Sequence, residues 1–459
     1  MKYTDNQREA INFRDGNLQI IACAGSGKTD VITRRIATLI VNGVHPENIV
    51  AFTFTEKAAE EMKFRVRKHL QDLRPENPEI GDMYVGTIHS FCFELLKEFI
   101  PKYRGYDVLD EHKRMIFLSS YVNFHRIGLR HLGQKTYRNI DEFCRSIDVV
   151  REEMINSETL PEDFKSCYYN YLELLEEQKF LDFSGMLHEV VRLMQVDSVF
   201  SDKVRERYHY IIVDEYQDVN PIQEKLIGLI AGENGNVCVV GDDDQCIYQW
   251  RGANVENILT FKERYEDVKS VEISINFRSS AAIVSSARKV IEINNSRLNK
   301  EIRALDEGRI NFEPGDIYAV FFKNEAEEVN FVLDKIEQLR GTKYINNKGE
   351  EFSLDYRDIA ILFRSVRTSA EPFIKRLKER GIDYIVKGGG KLFEQDEIRL
   401  VIKCLAYLGD ADYGDEENTI DSILDLYEVC FADWGDAIRF SEKIEELKEE
   451  VGTDTFFSL

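Results

Sequence analysis

A chain of 459 residues with 43% hydrophobic content exceeds one compact domain and can fill more than one core. Its 60 Lys and Arg against 83 Asp and Glu leave a formal charge of -23, which argues against a broad basic nucleic-acid face and leaves room only for a local basic track. The cysteines at 23, 92, 144, 167, 238, 246, 404 and 430 contain no C-x-x-C pair, so neither zinc nor an iron-sulphur cluster is indicated. With no signal peptide or membrane-length apolar run, a reduced cytoplasmic setting is expected.

From residue 6 to about 100, short apolar runs alternate with helical stretches: Leu18 to Ala22 then Thr29 to Ile40, Ile49 to Phe54 then Ala58 to Leu70, and Met83 to Gly86 then His89 to Phe99. Strand followed by helix, repeated, predicts a parallel sheet covered by helices. Between about 104 and 200 strand-like runs are scarce, and Tyr168 to Gln178 has helical spacing, which predicts a helical insertion. The pattern resumes with Tyr210 to Val213, Val237 to Val240 and Val271 to Ile275. A second set of strands is expected at Ile317 to Phe321, Ile359 to Phe363 and Tyr384 to Val386, with helices at Glu325 to Leu339 and Ala370 to Arg380. After Gly409 the spacing turns helical again at Ile420 to Cys430 and Trp434 to Glu449. The acidic runs Asp410 to Glu417 and Glu442 to Glu450 read as solvated surface.

The segment Ala24-Gly25-Ser26-Gly27-Lys28-Thr29 follows the first apolar run and opens a helix. Small residues allow a tight turn whose N–H groups point at phosphate oxygens, and the helix adds its positive end. Lys28 can reach the β- and γ-phosphates, and the Thr29 hydroxyl can ligate Mg2+. Asp214 and Glu215 end the apolar run Tyr210 to Val213, where Asp214 can hold the metal and Glu215 can take a proton from the attacking water. These features predict a P-loop NTPase acting on a nucleoside triphosphate with Mg2+.

Five further segments are similar to the superfamily 1 DNA helicases of the UvrD/Rep/PcrA type. They are Thr53-Phe54-Thr55-Glu56-Lys57-Ala58-Ala59-Glu60-Glu61-Met62, Gly86-Thr87-Ile88-His89-Ser90-Phe91, Val213-Asp214-Glu215-Tyr216-Gln217-Asp218, Gly241 to Ala253, and Asn276-Phe277-Arg278-Ser279-Ser280. The resemblance implies an α/β fold: a RecA-like ATPase domain (1–103 and 201–270) with a helical insertion (104–200), an incomplete second RecA-like domain (271–409), and the start of a second helical insertion (410–459). It makes ATP the nucleotide, with Gln7 reading adenine and Phe277 stacking on the base. Gln245 becomes the γ-phosphate sensor, and Arg278 the arginine that meets charge on the transferring phosphoryl group. It assigns Phe54, Thr55, His89 and Trp250 to single-stranded DNA, with Tyr248 and Arg251 nearby and Arg364 as a backbone contact. Lys57 and Arg65 read equally well as phosphate neighbours or helix surface.

Asp30 stands where these helicases commonly carry arginine, which removes a positive charge beside the nucleotide. The family's Gly-Leu-Glu motif and its second arginine motif are not found after Gly409, so a fragment, a split enzyme, or a short form completed by a partner or further segment is expected. The leading functional expectation is an ATP-driven 3′ to 5′ translocase and helicase on single-stranded DNA and its junctions with duplex. Alternatives are a motor subunit of a nuclease-linked complex and an assembly subunit that binds ATP and DNA without turnover.

Overall fold

The structure, a computed structural model, describes residues 3–76, 80–129, 136–233, 235–249, 252–295, 297–305, 317–345, 351–387, 396–408, 419–431 and 434–450. The chain divides into two compact units, Met1–Tyr318 and Ala319–Leu459.

The first unit begins with α1 (Asp5–Asn12), started by a capping box in which Thr4 and Gln7 satisfy each other's backbone N–H groups. Next come β1 (Leu18–Ala22), α2 (Lys28–Val41), β2 (Ile49–Phe52), α3 (Glu56–Leu73), β3 (Tyr84–Gly86) and α4 (Ile88–Phe99). Strands β4 (Asp107–Leu109) and β5 (Phe180–Asp182) pair with each other. Between them lie α5 (Glu111–Ser119), α6 (Tyr121–Ile127), α7 (Thr136–Glu152) and α8 (Glu162–Gln178). Then follow α9 (Phe183–Val196), α10 (Ser198–Arg207), β6 (Tyr210–Val213), α11 (Pro221–Ala231), β7 (Asn236–Gly241), α12 (Glu256–Leu259), α13 (Phe261–Arg264) and β8 (Lys269–Ile273). Last are β9 (Ile275–Asn276), α14 (Ala281–Ile291) and β10 (Arg303–Ala304).

The main sheet has six strands in the order β3-β2-β6-β7-β1-β8, parallel throughout. Its central strands are continuous apolar runs because helices cover both faces, with separate cores on the two sides. Register matters more than strand identity here. Ile21 pairs with Gly241, and Val213 pairs with both Val239 and Phe52. The residues that leave β1, β7, β6 and β2 therefore emerge along one carboxyl edge, the edge where ligands bind in open α/β sheets.

The expected insertion, 104–200, divides by packing. Its own core runs from Leu109 to Leu175, whereas α9 and α10 bury Met186, Leu187, Val190, Phe200 and Val204 in the core against β2 and β6. The apolar faces of those two helices match the sheet rather than the bundle. Strand β8 likewise pairs with β1, and 271–318 falls in the first unit rather than the second.

In the second unit, α15 (Glu325–Leu339) packs on α17 (Glu371–Glu379) through Val329, Leu333, Phe373 and Leu377. The short α16 (Val366–Ser369) precedes α17, and β11 (Lys343–Ile345) pairs antiparallel with β12 (Glu351–Ser353). Helices α18 (Asp396–Leu408), α19 (Ile420–Phe431) and α20 (Trp434–Glu450) share a further core through Leu400, Ile423 and Ile444. The strands expected at 317–321, 359–363 and 384–386 do not form: these residues have no ladder partner among the described residues. Phe321 is 98%, Leu362 89% and Ile385 86% exposed. A strand of a parallel sheet is stabilised by its neighbours and by helices over both faces, and an apolar run alone supplies neither.

Candidate nucleotide site and nucleic-acid cleft

The phosphate loop is built by backbone geometry. Gly25 and Gly27 have φ of 70° and 82°, and Gly27 caps α2, directing the first free N–H groups of the helix into the turn. Ser26 is buried and closes the loop through its hydroxyl, which donates to the Cys23 carbonyl at 2.8 Å. Gln7 lies against this loop. Its Nε2 donates to the Ser26 carbonyl at 3.0 Å while its Oε1 accepts from Thr4 N at 2.9 Å. The amide expected to read adenine thus also supports the loop.

Across the sheet edge, Lys28 Nζ donates to Glu215 Oε2 at 2.9 Å. Glu215 itself sits at φ 48°, in the left-handed region that a non-glycine residue enters at a cost of ~1 kcal/mol or more. That twist turns its carboxylate toward Lys28 directly after the strand ends. Asp214 accepts from the Glu215 backbone N–H at 2.9 Å, and its carboxyl is pushed up to about 7 by desolvation and by the neighbouring Glu215. Asp218 is raised to about 6 for the same two reasons, and its buried Oδ1 has no hydrogen-bond partner. A strained, desolvated group of acids beside a phosphate loop suits a divalent cation. Among the described residues no cluster of three or more His, Cys, Asp or Glu side chains forms a closed metal cage. Asp214 and the Thr29 hydroxyl are the protein oxygens that could hold Mg2+ here, with phosphates and waters completing its shell.

Residues that sequence reasoning passed over join these parts. Gln217 donates through Nε2 to Glu215 Oε2 at 2.9 Å, and its Oε1 accepts from Asp242 N at 3.0 Å. Asp242 in turn accepts from the Gln245 amide. Asn276 donates to the Ala24 carbonyl at 2.6 Å and accepts from Arg278 N at 2.8 Å, and Phe277 N donates to the Gly25 carbonyl at 2.9 Å. The arm carrying Phe277 and Arg278 therefore rests on the phosphate loop. Gln217 and Asn276 lie inside the helicase-like segments, where polar amides beside the expected catalytic residues are the available signal.

Asp30 does not act as a bare charge. His69 Nε2 lies 3.1 Å from its carboxylate, and hydrogen bonds from His69 and Tyr3 hold it below the usual carboxylate range despite partial burial.

A cleft of about 850 Å³ runs from Asp214, Glu215 and Asp218 past Phe54, Thr55 and Tyr248 to His89 and Phe183. Phe54, 43% exposed, stacks on Tyr248 with centroids 5.2 Å apart. His89 packs on Phe183 at 5.6 Å, and desolvation lowers its pKa. Thr55 has a second duty: its hydroxyl accepts from Ala58 N at 3.1 Å and caps α3. Trp250 and Arg251 lie outside the described residues. Arg364 is exposed in the second unit. The helical wall of the cleft carries both signs of charge, with Asp148, Glu152 and Glu153 beside Arg114 and Arg145.

The chain matches two family models: the UvrD/REP helicase N-terminal domain over residues 3–266 and the UvrD-like helicase C-terminal domain over residues 271–419. It is 33% identical to the ATP-dependent DNA helicase PcrA of Bacillus subtilis over 424 residues, covering 88% of this chain and 53% of that protein. It is 32% identical to DNA helicase II of Haemophilus influenzae over 416 residues, with coverage of 88% and 53%. With the ATP-dependent DNA helicase Rep of Buchnera aphidicola the figures are 30% over 421 residues, 90% and 60%. The chain spans little more than half the length of these relatives. Among the described residues no helix is long and apolar enough to cross a membrane.

Proposed function

Because the chain belongs to the UvrD/REP helicase family, we propose that it is an ATP-hydrolysing motor that moves along single-stranded DNA and separates duplex at single-strand junctions. The observation that carries this reading is the continuity of one cleft: the acids beside the phosphate loop and the stacked Phe54 and Tyr248 share it. Chemistry at one end and base stacking at the other then change together.

In this reading the loop N–H groups and Lys28 hold the triphosphate, and the Gln7 amide and Phe277 ring receive adenine. Mg2+, when bound at Asp214 and Thr29, offsets charge on the β- and γ-phosphates. Glu215 takes the proton of the attacking water. A γ-phosphate competes with Glu215 for the Lys28 ammonium, and so frees the carboxylate to act as base when substrate is in place. Gln245 orients the water, and Arg278 meets the developing charge. Phe54 and Tyr248 give successive bases a stacking platform beside His89 and Thr55, and the family resemblance adds Trp250, Arg251 and Arg364 as further DNA contacts. The 3′ to 5′ direction follows from the family resemblance. Intact Lys28, Glu215, Gln245 and Arg278 count against an assembly subunit without turnover.

Steady-state ATP hydrolysis with and without single-stranded oligonucleotide, using Glu215→Gln as background, tests the proposal. The expected result is DNA-stimulated turnover that falls by at least about 100-fold in the variant, with ATP affinity kept. Turnover indifferent to both DNA and Glu215→Gln refutes it. Strand displacement from substrates with 3′ or 5′ overhangs reads the direction.

A further inference from the structure

Lys300 is one of the most deeply buried charges of the first unit, its side chain 1% exposed, and no feature of its sequence marks it out. It reaches three consecutive acids. Its Nζ donates to Asp242, to Asp243 at 2.6 Å, and lies 3.1 Å from Asp244. Two neighbours in the same segment reinforce the grip: Arg297 pairs bidentately with Asp244 at 2.7 and 2.9 Å, and Leu298 N donates to Asp243 at 2.7 Å. Burial opposes charge on Lys300, but the acids outweigh burial and raise its pKa.

What these acids touch gives the lysine its meaning. Asp242 accepts from Lys300 on one oxygen and from the Gln245 amide on the other, while its backbone N–H donates to Gln217, which donates to Glu215. A continuous polar chain therefore runs from Lys28 through Glu215, Gln217 and Asp242 to Lys300, with Gln245 attached at Asp242. From Lys300 the segment continues directly into β10, which pairs with β9, the strand that leads into Arg278. Arg303 N donates to Ser274 O and Leu305 N to Asn276 O, both at 3.1 Å. The segment 297–305 is thus fastened at one end to the turn that bears Gln245 and at the other to the arm that bears Arg278.

We infer that Lys300 is a positioning residue for ATP hydrolysis: by fixing Asp242 and Asp243 it sets Gln245 in register with Arg278, so that both meet the γ-phosphate together. The inference rests on the ATPase reading above. Lys300 touches no reacting atom in this role. Losing it leaves the phosphate loop and Lys28 intact, so nucleotide binding persists while the two groups that serve the transition state lose their common support.

The test uses the 459-residue chain, Lys300→Met, and the double variant Lys300→Met/Asp243→Asn, whose net charge in the cluster equals the parent's and which keeps the Asp242 carboxylate that holds Gln245. For each, kcat and KM for ATP are measured with oligonucleotide, together with affinities for ADP and for ADP with aluminium fluoride, a mimic of the transferring phosphoryl group. Expected in Lys300→Met is a fall in kcat of at least about tenfold, KM and ADP affinity within about threefold, and loss of most of the extra affinity for the fluoride complex. In the double variant the melting temperature returns to the parent's and kcat does not. A kcat equal to the parent's in folded Lys300→Met overturns the inference. So does joint recovery of stability and kcat in the double variant, since charge balance alone would then explain the lysine. If Lys300→Met does not fold, the charge-balanced variant carries the same comparison with the parent. A parent no faster than Glu215→Gln brings down the ATPase reading itself, and this inference with it.

Discussion

Single side chains in this protein are tuned by what surrounds them, and Glu152 gives a clean case. It stands at the end of α7 in the cleft wall, and its carboxyl is pushed up to about 7 by desolvation and by Asp148 and Glu153, with Asn220 and Arg114 acting in the opposite sense. In the unfolded chain the same group ionises near 4.5. Its contribution to stability is therefore fully present below that value and is lost as pH rises through 7. Glu152→Gln is expected to leave the melting temperature unchanged at pH 4 and to stabilise the chain at pH 8 by about 1 kcal/mol, the full shift being reduced by solvent screening. An equal effect at both pH values, read by thermal melts, excludes this account. At the same scale Glu215 was legible from its place after an apolar strand. Its left-handed backbone and its pairing with Lys28 were not, because that pairing joins residues 187 apart in the chain and depends on a sheet in which β7 stands between β1 and β6.

The phosphate loop was readable at the scale of an element because its function is local: six adjacent residues make the turn and start the helix. What presses on the loop was not readable. At Gly25 a Cβ would stand 2.7 Å from Asn276 Nδ2 and 2.9 Å from Arg278 Cβ, on a backbone of φ 70°. Gly25→Ala is thus strained twice, by conformation and by the arm that carries Arg278. A cost of roughly 1–3 kcal/mol at this position predicts about five- to 150-fold weaker nucleotide binding. Fluorescent-nucleotide titration beside a melting curve checks it, and unaltered affinity in the folded variant would show that the loop tolerates a side chain there. The helices α9 and α10 teach the converse lesson: their apolar spacing announced helices, and only packing assigned them to the sheet rather than to the inserted bundle. Apolar runs at 317–321, 359–363 and 384–386 looked equally strand-like, yet they have no ladder partner among the described residues and form no strand there.

Over the whole molecule, two compact units with separate cores imply separate cooperative transitions. Scanning calorimetry of the nucleotide-free chain is expected to resolve two, and a single transition whose calorimetric and van't Hoff enthalpies agree would refute independent folding. The net charge of -23 is also a whole-molecule property, and it misleads if taken as a statement about the cleft. The cleft lining mixes the stacked Phe54 and Tyr248 with Asp148, Glu152 and Glu153 and with Arg114 and Arg145, so in the proposed reading strand binding draws more on stacking than on a broad positive field.

The sequence by itself determined the chemistry whose parts are contiguous: the phosphate loop, Asp214 and Glu215 at a strand end, the order of the helicase-like segments, and a parallel α/β architecture. Such features survive as strings because a turn, a cap or a strand end is made by neighbouring residues. The tertiary structure alone decided what distant residues do to one another. The register of β1, β7, β6 and β2 brings the motifs to one edge, Gln217 and Asp242 link them, and Lys300 reaches across 58 residues to bind the acids that hold Gln245. A buried ion pair depends on where two segments cross, and neither segment records that crossing in its own composition.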